Sequence, residues 1–347
     1  MKLLKDFNFK GKRVLVRCDF NVPLSPEGEI LDDFRIKETI PTIEYLIKKE
    51  AKIILMSHLG KPEGKVVGNL RMDKVQEKLM EYLDLSIVKA KDCVGKEIEN
   101  WVKEMADGEI LLLENLRFHK EEEENDENFA KALAKLGEIY VNEAFACSHR
   151  PHASIVSLPK YLPSAAGFLL EKEIKSLNKI TGNPAKPLIS IFGGDDPDFK
   201  AIDKISNTAD WILVGELIGK EIEKDNTKLK YPEKVIKPVD GVDGRKDIGP
   251  KTMKLFKEKI FQAKTIFWSG PLGKIEEERF QKGTKEIARA IIESGSFSVI
   301  GGGETIEFIN KLGLIDKFNH VSTGGSALLT YLAGEKLPGI EALKMRY

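Results

Sequence analysis

Net charge is the first thing this chain lacks: 55 lysines and arginines face 55 aspartates and glutamates, so the formal total is zero. That balance argues against a dedicated DNA- or RNA-binding protein, which carries a basic domain or stripe, and confines any basic site to a small local cluster. Long apolar runs are missing too. Ile53-Met56 and Ile110-Leu113 are strand-sized and flanked by charge, whereas a membrane-crossing helix needs about 20 apolar residues. The amino end, MKLLKDFNFKGK, has no long apolar centre followed by a cleavage site, so it does not read as a secretory signal and a cytoplasmic protein is expected. Only three cysteines occur, Cys18, Cys93 and Cys147, with no CxxC spacing. They read as small core or near-site residues, and neither a disulfide framework nor a zinc site is expected. Neither a GxxxxGK(S/T) loop nor a GxGxxG fingerprint is present, which removes support for a P-loop or a nicotinamide-binding half.

What is present is an alternation. Short apolar segments (Val14-Val16, Ile53-Met56, Ile110-Leu113, Ile139-Val141, Leu188-Phe192, Trp211-Val214, Thr265-Trp268, Ser298-Ile300, His320-Val321) read as strands. Helix-length stretches with apolar residues three or four apart lie between most of them, such as Ile36-Lys49, Asn128-Lys135, Lys251-Phe261 and Lys282-Ile292. Strand and helix in alternation predict an α/β protein with parallel sheets covered by helices, and 347 residues predict two lobes rather than one core. The lobe boundary falls near Leu158-Gly167, where Pro159, Pro163 and SAAG interrupt the pattern, and Leu169-Ile180 reads as one connecting helix. The expected organisation is 1–166, a helix over 167–181, a second lobe over 182–330, and a C-terminal segment over 331–347. The acidic run Glu121-Glu124 reads as a solvated loop or helix start.

In open parallel sheets ligands bind beyond the carboxyl ends of the strands. In the first half those positions hold Asp19 and Asn21, His58 and Lys61, Asn115 and Arg117, then Asn142, His149 and Arg150, with Arg35 in the loop DDFRI. In the second half they hold glycines: Gly193 and Gly194, Gly215, Gly270 and Gly273, Gly301 to Gly303, and Gly324 and Gly325. Glycines let a backbone approach a phosphate closely and expose N–H donors at a helix start. The two halves therefore suggest a side-chain-rich site for a small anion and a glycine-rich site for a nucleotide.

The strings RVLVRCDFNVPL, DDFRI, ILMSHLGKP, LLLENLRFH, NEAFACSHRPHAS, AAGFLLEKEI, DIGPKT, SGPLG, IGGGET, STGG and LPGIEAL resemble, in order and nearly end to end, the phosphoglycerate kinase family. The resemblance implies two Rossmann-like lobes joined by a helix and hinge, with a final segment returning to the first lobe. It implies Mg²⁺-dependent phosphoryl transfer between 1,3-bisphosphoglycerate and ADP, giving 3-phosphoglycerate and ATP, by a cytoplasmic monomer. By resemblance Asp19, Asn21, Arg35, His58, Lys61, Arg117 and Arg150 hold the phosphoglycerate, and Arg35, Lys200 and Gly302 serve the transferring phosphoryl group. Gly193, Lys200, Gly215, Pro271, Gly301, Gly302, Gly303 and Thr305 line the nucleotide, Glu276 meets the ribose, and Glu304 lies at the metal. A carboxylate nucleophile carries no proton, so alignment and charge neutralisation replace a general base.

The chain departs from the family unevenly. HLGRP is HLGKP here, so Lys61 keeps a charge but loses the planar fork. NEAFACSHR stands where NDAFGTAHR is usual. Where the family reads GGAKVSDK this chain reads GGDDPDFK. A direct alignment puts Asp196 at the first lysine and Lys200 at the second; an alignment with DDPD inserted recovers both lysines as Lys200 and Lys204. GGGDT has become GGGET, NGP has Ser269, STGGGA has Ser326, and the turn after Trp211-Val214 keeps a single Gly215. The stretch from Gly219 to Asp247 is much shorter than in the family. Two alternatives therefore stand beside an active kinase: an impaired paralogue that senses a phosphorylated acid, and a relative that uses another acid or nucleotide.

Overall fold

The computed structural model of the chain describes residues 1–195, 198–224 and 229–344. The strand segments are apolar throughout rather than alternating, and in the structure the reason is that both faces of each sheet are covered. Ile53, Ile54, Leu55 and Met56, for example, are all fully buried, each such side chain contributing about 1.5–3 kcal/mol by leaving water.

Seven strands form the first sheet: β1 (Lys2–Leu3), β2 (Arg13–Arg17), β3 (Lys52–Met56), β4 (Val88–Lys89), β5 (Ile110–Leu112), β6 (Ile139–Asn142) and β7 (Ser164–Ala166). Their order is β1-β7-β6-β2-β3-β5-β4, and every pair is parallel. The second sheet is built from β8 (Leu188–Phe192), β9 (Trp211–Val214) and β10 (Val235–Ile236), then, after the two-stranded antiparallel hairpin β11 (Gly241–Val242) and β12 (Asp247–Ile248), from β13 (Thr265–Ser269), β14 (Phe297–Gly301) and β15 (His320–Val321). Its order is β10-β9-β8-β13-β14-β15, again all parallel. The predicted helices occur as Phe34–Lys48, Glu127–Ala134, Phe168–Thr181, Pro250–Ile260 and Lys282–Glu293.

Contacts divide the chain into two units. One comprises Met1–Lys172 together with the C-terminal residues from Lys336, and the other comprises Glu173–Glu335. The division falls inside helix Phe168–Thr181, and the helix Pro338–Ala342 belongs to the first unit through Gly339, whose N–H donates to the Ser148 carbonyl at 2.9 Å.

Two expectations need correction. SAAG does not interrupt the first lobe's pattern: Ser164–Ala166 is β7, paired with β6, and small residues are simply an unusual strand composition. The run Glu121-Glu124 is not wholly solvated either. Glu122 is fully buried, accepting the Ser154 N–H at 2.9 Å and the Ser154 hydroxyl at 2.6 Å.

Helix Phe168–Thr181 starts on a buried carboxylate. Glu143 accepts the Leu169 and Leu170 N–H groups at 3.0 and 3.4 Å and the Thr42 hydroxyl, which in turn accepts the Phe168 N–H at 2.9 Å. These are the unpaired donors of a helix start. Gly167 leaves no room for a Cβ against that carboxylate. Burial pushes the Glu143 carboxyl up to about 7.

Candidate functional site

In the first unit, β2, β3 and β6 are adjacent, so the loops after them deliver their side chains to one place. Asp19 is bound by Arg35, whose guanidinium lies 2.7 Å from Asp19 Oδ2 and 3.3 Å from the Asn21 carbonyl. The Asn21 side chain accepts the Gly60 N–H at 2.8 Å, and Arg117 donates to the Gly60 carbonyl at 2.9 Å, so the segment carrying His58 and Lys61 is held from two sides. Asn115 holds the same segment through Leu59, accepting its N–H at 3.2 Å and donating to its carbonyl at 2.8 Å. Arg150 donates to His149 Nε2 at 3.1 Å. Of the seven residues assigned to the acid substrate, six are brought together this way; Lys61 is exposed beside them.

Burial and nearby positive charge act together on the histidines. His58 is held well below the ordinary imidazole range by burial and by Arg17, Arg117, His152 and Arg150. His152 is lowered to about 3 by burial with Arg117, Arg17 and Arg150, and His149 is lowered by burial and Arg150. Burial, with Arg150 and Arg17 adding to it, even lowers Arg117 against the opposing pull of Glu123, whose Oε1 lies 3.2 Å from Arg117 Nε; Nη2 is buried with no hydrogen-bond partner among the described residues. Three neutral imidazoles lie among Arg17, Arg117 and Arg150; Arg17 and Arg117 face Glu122 and Glu123 at 3.8 and 3.2 Å, which leaves Arg150 as the charge with no carboxylate partner among the described residues.

Arg17, Glu122 and His152 were missed in the sequence. Arg17 is the last residue of an apolar strand, and that position was the available signal. Asp19, His58 and Cys147 present ligand atoms within 4.8 Å of one another, as do Asp92, Cys93 and His119. The absence of CxxC spacing thus did not exclude such juxtapositions, though the arginines around the first group oppose a cation.

In the second unit the sheet's strand order reverses between β8 and β13, the usual place for a ligand crevice. The strand ends cross closely there. Gly193 N–H donates to the Ser269 carbonyl at 2.8 Å, Gly194 N–H to the Pro271 carbonyl at 2.8 Å, and neither Gly193 nor Gly270 has room for a Cβ against the other chain segment. A cavity of about 290 Å³ opens beside this crossing, lined by Gly194, Asp195, Gly215, Glu216, Leu217, Lys220, Gly244, Arg245, Lys246, Pro271 to Lys274, Glu276 and Glu304. Gly301, Gly302, Gly303 and Thr305 lie at the end of β14 and the start of helix Gly303–Lys311. At Gly302, with φ 87°, an added Cβ would come within 3.2 Å of Gly270 N and 3.3 Å of Ser269 Oγ, and the Thr305 hydroxyl is buried with no hydrogen-bond partner among the described residues. That helix start aims free N–H groups and the positive end of the helix dipole at whatever binds there.

Glu304 is raised by burial and by the neighbouring carboxylates Asp195 and Glu276, an arrangement that a divalent cation would relieve. Lys200 does not line the cavity. It is exposed in the first turn of helix Phe199–Ile205 and pairs with exposed Glu335 at 3.8 Å, while the Lys204 side chain packs over Gly334. Asp196 lies outside the described residues. The cations lining the cavity are instead Lys220, Arg245, Lys246 and Lys274; Arg245 and Lys246 come from the turn DGRKD, which belongs to no motif, Lys220 from helix Glu216–Lys224, and Lys274 directly follows SGPLG.

A phosphoglycerate kinase family model matches residues 4–224 and 218–335, two pieces that meet where the chain was read as shortened. The chain is similar to phosphoglycerate kinases of Dictyoglomus turgidum (42% identity over 388 aligned positions, 98% of each protein) and Borrelia garinii (42%, 99% of each). With 388 positions aligned to a 347-residue chain, the relative carries residues that this one lacks. Among solved structures it is similar to phosphoglycerate kinase from Pyrococcus horikoshii (TM-score 0.88, 32% identity, 99% of this chain and 98% of that one) and from Coxiella burnetii (0.83, 30%, 98% of each). No helix among the described residues is long and apolar enough to cross a membrane. The chain belongs to the phosphoglycerate kinase family, a kinase and transferase that moves a phosphoryl group reversibly between 1,3-bisphosphoglycerate and ADP.

Proposed function

We propose that the reaction is divided between the two sites as follows. The first unit holds 3-phosphoglycerate or 1,3-bisphosphoglycerate through Asp19, Asn21, Arg35, His58, Lys61, Arg117 and Arg150. The observation that carries this is the gathering of Arg35, Arg117 and Asn21 around the segment that bears His58, with Arg150 having no carboxylate partner among the described residues, a set of donors that a phosphorylated acid would match. Arg117 contributes through Nη2, which is buried with no hydrogen-bond partner among the described residues and gains one when an oxyanion arrives. Arg35, steered by Asp19, faces the transferring group.

The second unit takes ATP or ADP. Gly193, Gly215 and Pro271 shape the cavity, Glu276 meets the ribose, and Gly301, Gly302, Gly303 and Thr305 offer backbone and hydroxyl donors to the phosphates. Lys200, exposed and paired with Glu335 across 3.8 Å, would neutralise the transferring phosphoryl group. Glu304, with Asp195 and Glu276 beside it, would hold Mg²⁺, whose charge offsets that of the nucleotide phosphates. The family resemblance supports a cytoplasmic monomer without a nucleic-acid or membrane partner.

Purified protein supplied with Mg²⁺, ATP and 3-phosphoglycerate is expected to consume ATP, and Asp19→Ala to lose most of that turnover. Turnover no higher than the Asp19→Ala background, with 3-phosphoglycerate still bound in calorimetry, would turn the reading into that of a sensor.

A further inference from the structure

His58 Nδ1 lies 3.3 Å from an Arg17 terminal nitrogen. A guanidinium offers only donors and stays protonated, so Nδ1 must be the acceptor and carries no hydrogen. The other neighbours of Nδ1 are Cys147 Sγ at 3.9 Å and Asp19 Oδ1 at 4.0 Å. The ring proton therefore sits on Nε2, for which there is no partner among the described residues.

Arg17 is itself fixed. It is fully buried, donates through Nε to the Ser154 hydroxyl at 2.8 Å and through its other terminal nitrogen to the Cys18 carbonyl, and lies 3.8 Å from Glu122 Oε1. Glu122 in turn holds both the N–H and the hydroxyl of Ser154. A buried carboxylate thus orients a serine, the serine orients a guanidinium, and the guanidinium orients an imidazole.

We propose that Arg17 is a positioning residue that locks His58 as the neutral imidazole with its proton on Nε2, making His58 a fixed N–H donor to an oxyanion of the acid substrate rather than a titrating cation. The surrounding charges agree. Arg17 from β2, Arg117 from the loop after β5, and Arg150 and His152 from the segment after β6 all oppose protonation of the ring. The carboxylate within reach, Asp19, is engaged by Arg35. Cys147 is no source of negative charge, since burial pushes its thiol up to about 11. The substrate's charge is then met by arginines, and the histidine supplies direction alone.

The inference rests on reading this cluster as the phosphoglycerate site, and its test separates the two. In the substrate-free protein, nitrogen-15 NMR of the histidine rings, with His58 assigned from the His58→Gln difference, is expected to show the Nε2–H tautomer. No titration is expected across about pH 5 to 8. A proton on Nδ1, or a midpoint near the ordinary value of about 6.5, overturns the proposal. Arg17→Lys and Arg17→Met are expected to release the lock, giving mixed tautomers or a titrating ring. If the methionine variant does not fold, the lysine variant decides.

In 3-phosphoglycerate binding, a glutamine amide nitrogen can stand where Nε2 stood, whereas asparagine reaches only the Nδ1 position. His58→Asn is therefore expected to weaken binding roughly tenfold more than His58→Gln, the worth of one hydrogen bond to a charged group. Equal losses overturn the donor role. The expected NMR result with binding unchanged in both variants leaves the lock in place and overturns the assignment of the substrate.

Discussion

Glu143→Gln gives a stability change whose sign depends on pH. A carboxyl raised from 4.5 to about 7 in the folded protein binds its proton more tightly there than in the unfolded chain. The stability this confers is complete below about pH 4.5 and is lost as the pH climbs through about 7; the difference is roughly 3 kcal/mol. Glu143 is fully buried, so solvent screening does not dilute that figure. Glutamine removes the titration. Its oxygen can keep the Thr42 hydroxyl and Leu169 N–H, but its NH₂ then faces the Leu170 N–H, now 3.4 Å from a carboxylate oxygen. That mismatch costs about 1 kcal/mol at any pH. At pH 4 the variant is therefore expected to be about 1 kcal/mol less stable than the parent, and at pH 8 about 2 kcal/mol more stable. Urea denaturation followed by circular dichroism at both values, with the slope unchanged, measures this directly. Variant and parent curves that differ by the same amount at both pH values would refute the assignment of the titration to Glu143.

Three further outcomes follow from the sites. Arg117→Met is expected to raise KM for 3-phosphoglycerate on the order of 10- to 100-fold, with kcat changed much less, because the lost contacts serve binding; an unchanged KM would contradict the site. Lys200→Ala is expected to lower kcat on the order of 10²- to 10³-fold with no loss of thermal stability, and Lys204→Ala to change kcat by less than about threefold. Equal and large effects of both would favour the alignment with the inserted residues. Gly270→Ala is expected to cost on the order of 3 kcal/mol in thermal denaturation and to raise KM for ATP, since a positive φ and the Gly193 carbonyl both exclude a Cβ.

The sheets were legible because long buried strands must be apolar on both faces, and the central strands of both sheets emerged within a residue or so of their limits. The two-residue strands β1, β4 and β10 carry no periodicity of their own and exist through their neighbours' edges. The acid site was legible wherever a polar residue followed an apolar run, as with Asp19 and His58. Arg17 and Glu122 were not, since a charge inside a strand or an acidic run looks solvated until its partner is known. The nucleotide cavity was the least legible part. Its glycines fix backbone crossings that a sequence can suggest, but Lys220, Arg245 and Lys246 come to it from a helix and a hairpin with no motif. Lys200, assigned by resemblance, stands outside it.

The first unit is assembled from both ends of the chain. Gly339 has no room for a Cβ against Ser148 and Ile155, and its N–H binds the Ser148 carbonyl, one residue before His149 and two before Arg150. On the ribosome, this support for the acid site's last loop arrives only when Gly339 has been made, after every residue of the nucleotide unit. A chain that stops short of Gly339 is expected to acquire nucleotide binding without an ordered acid site.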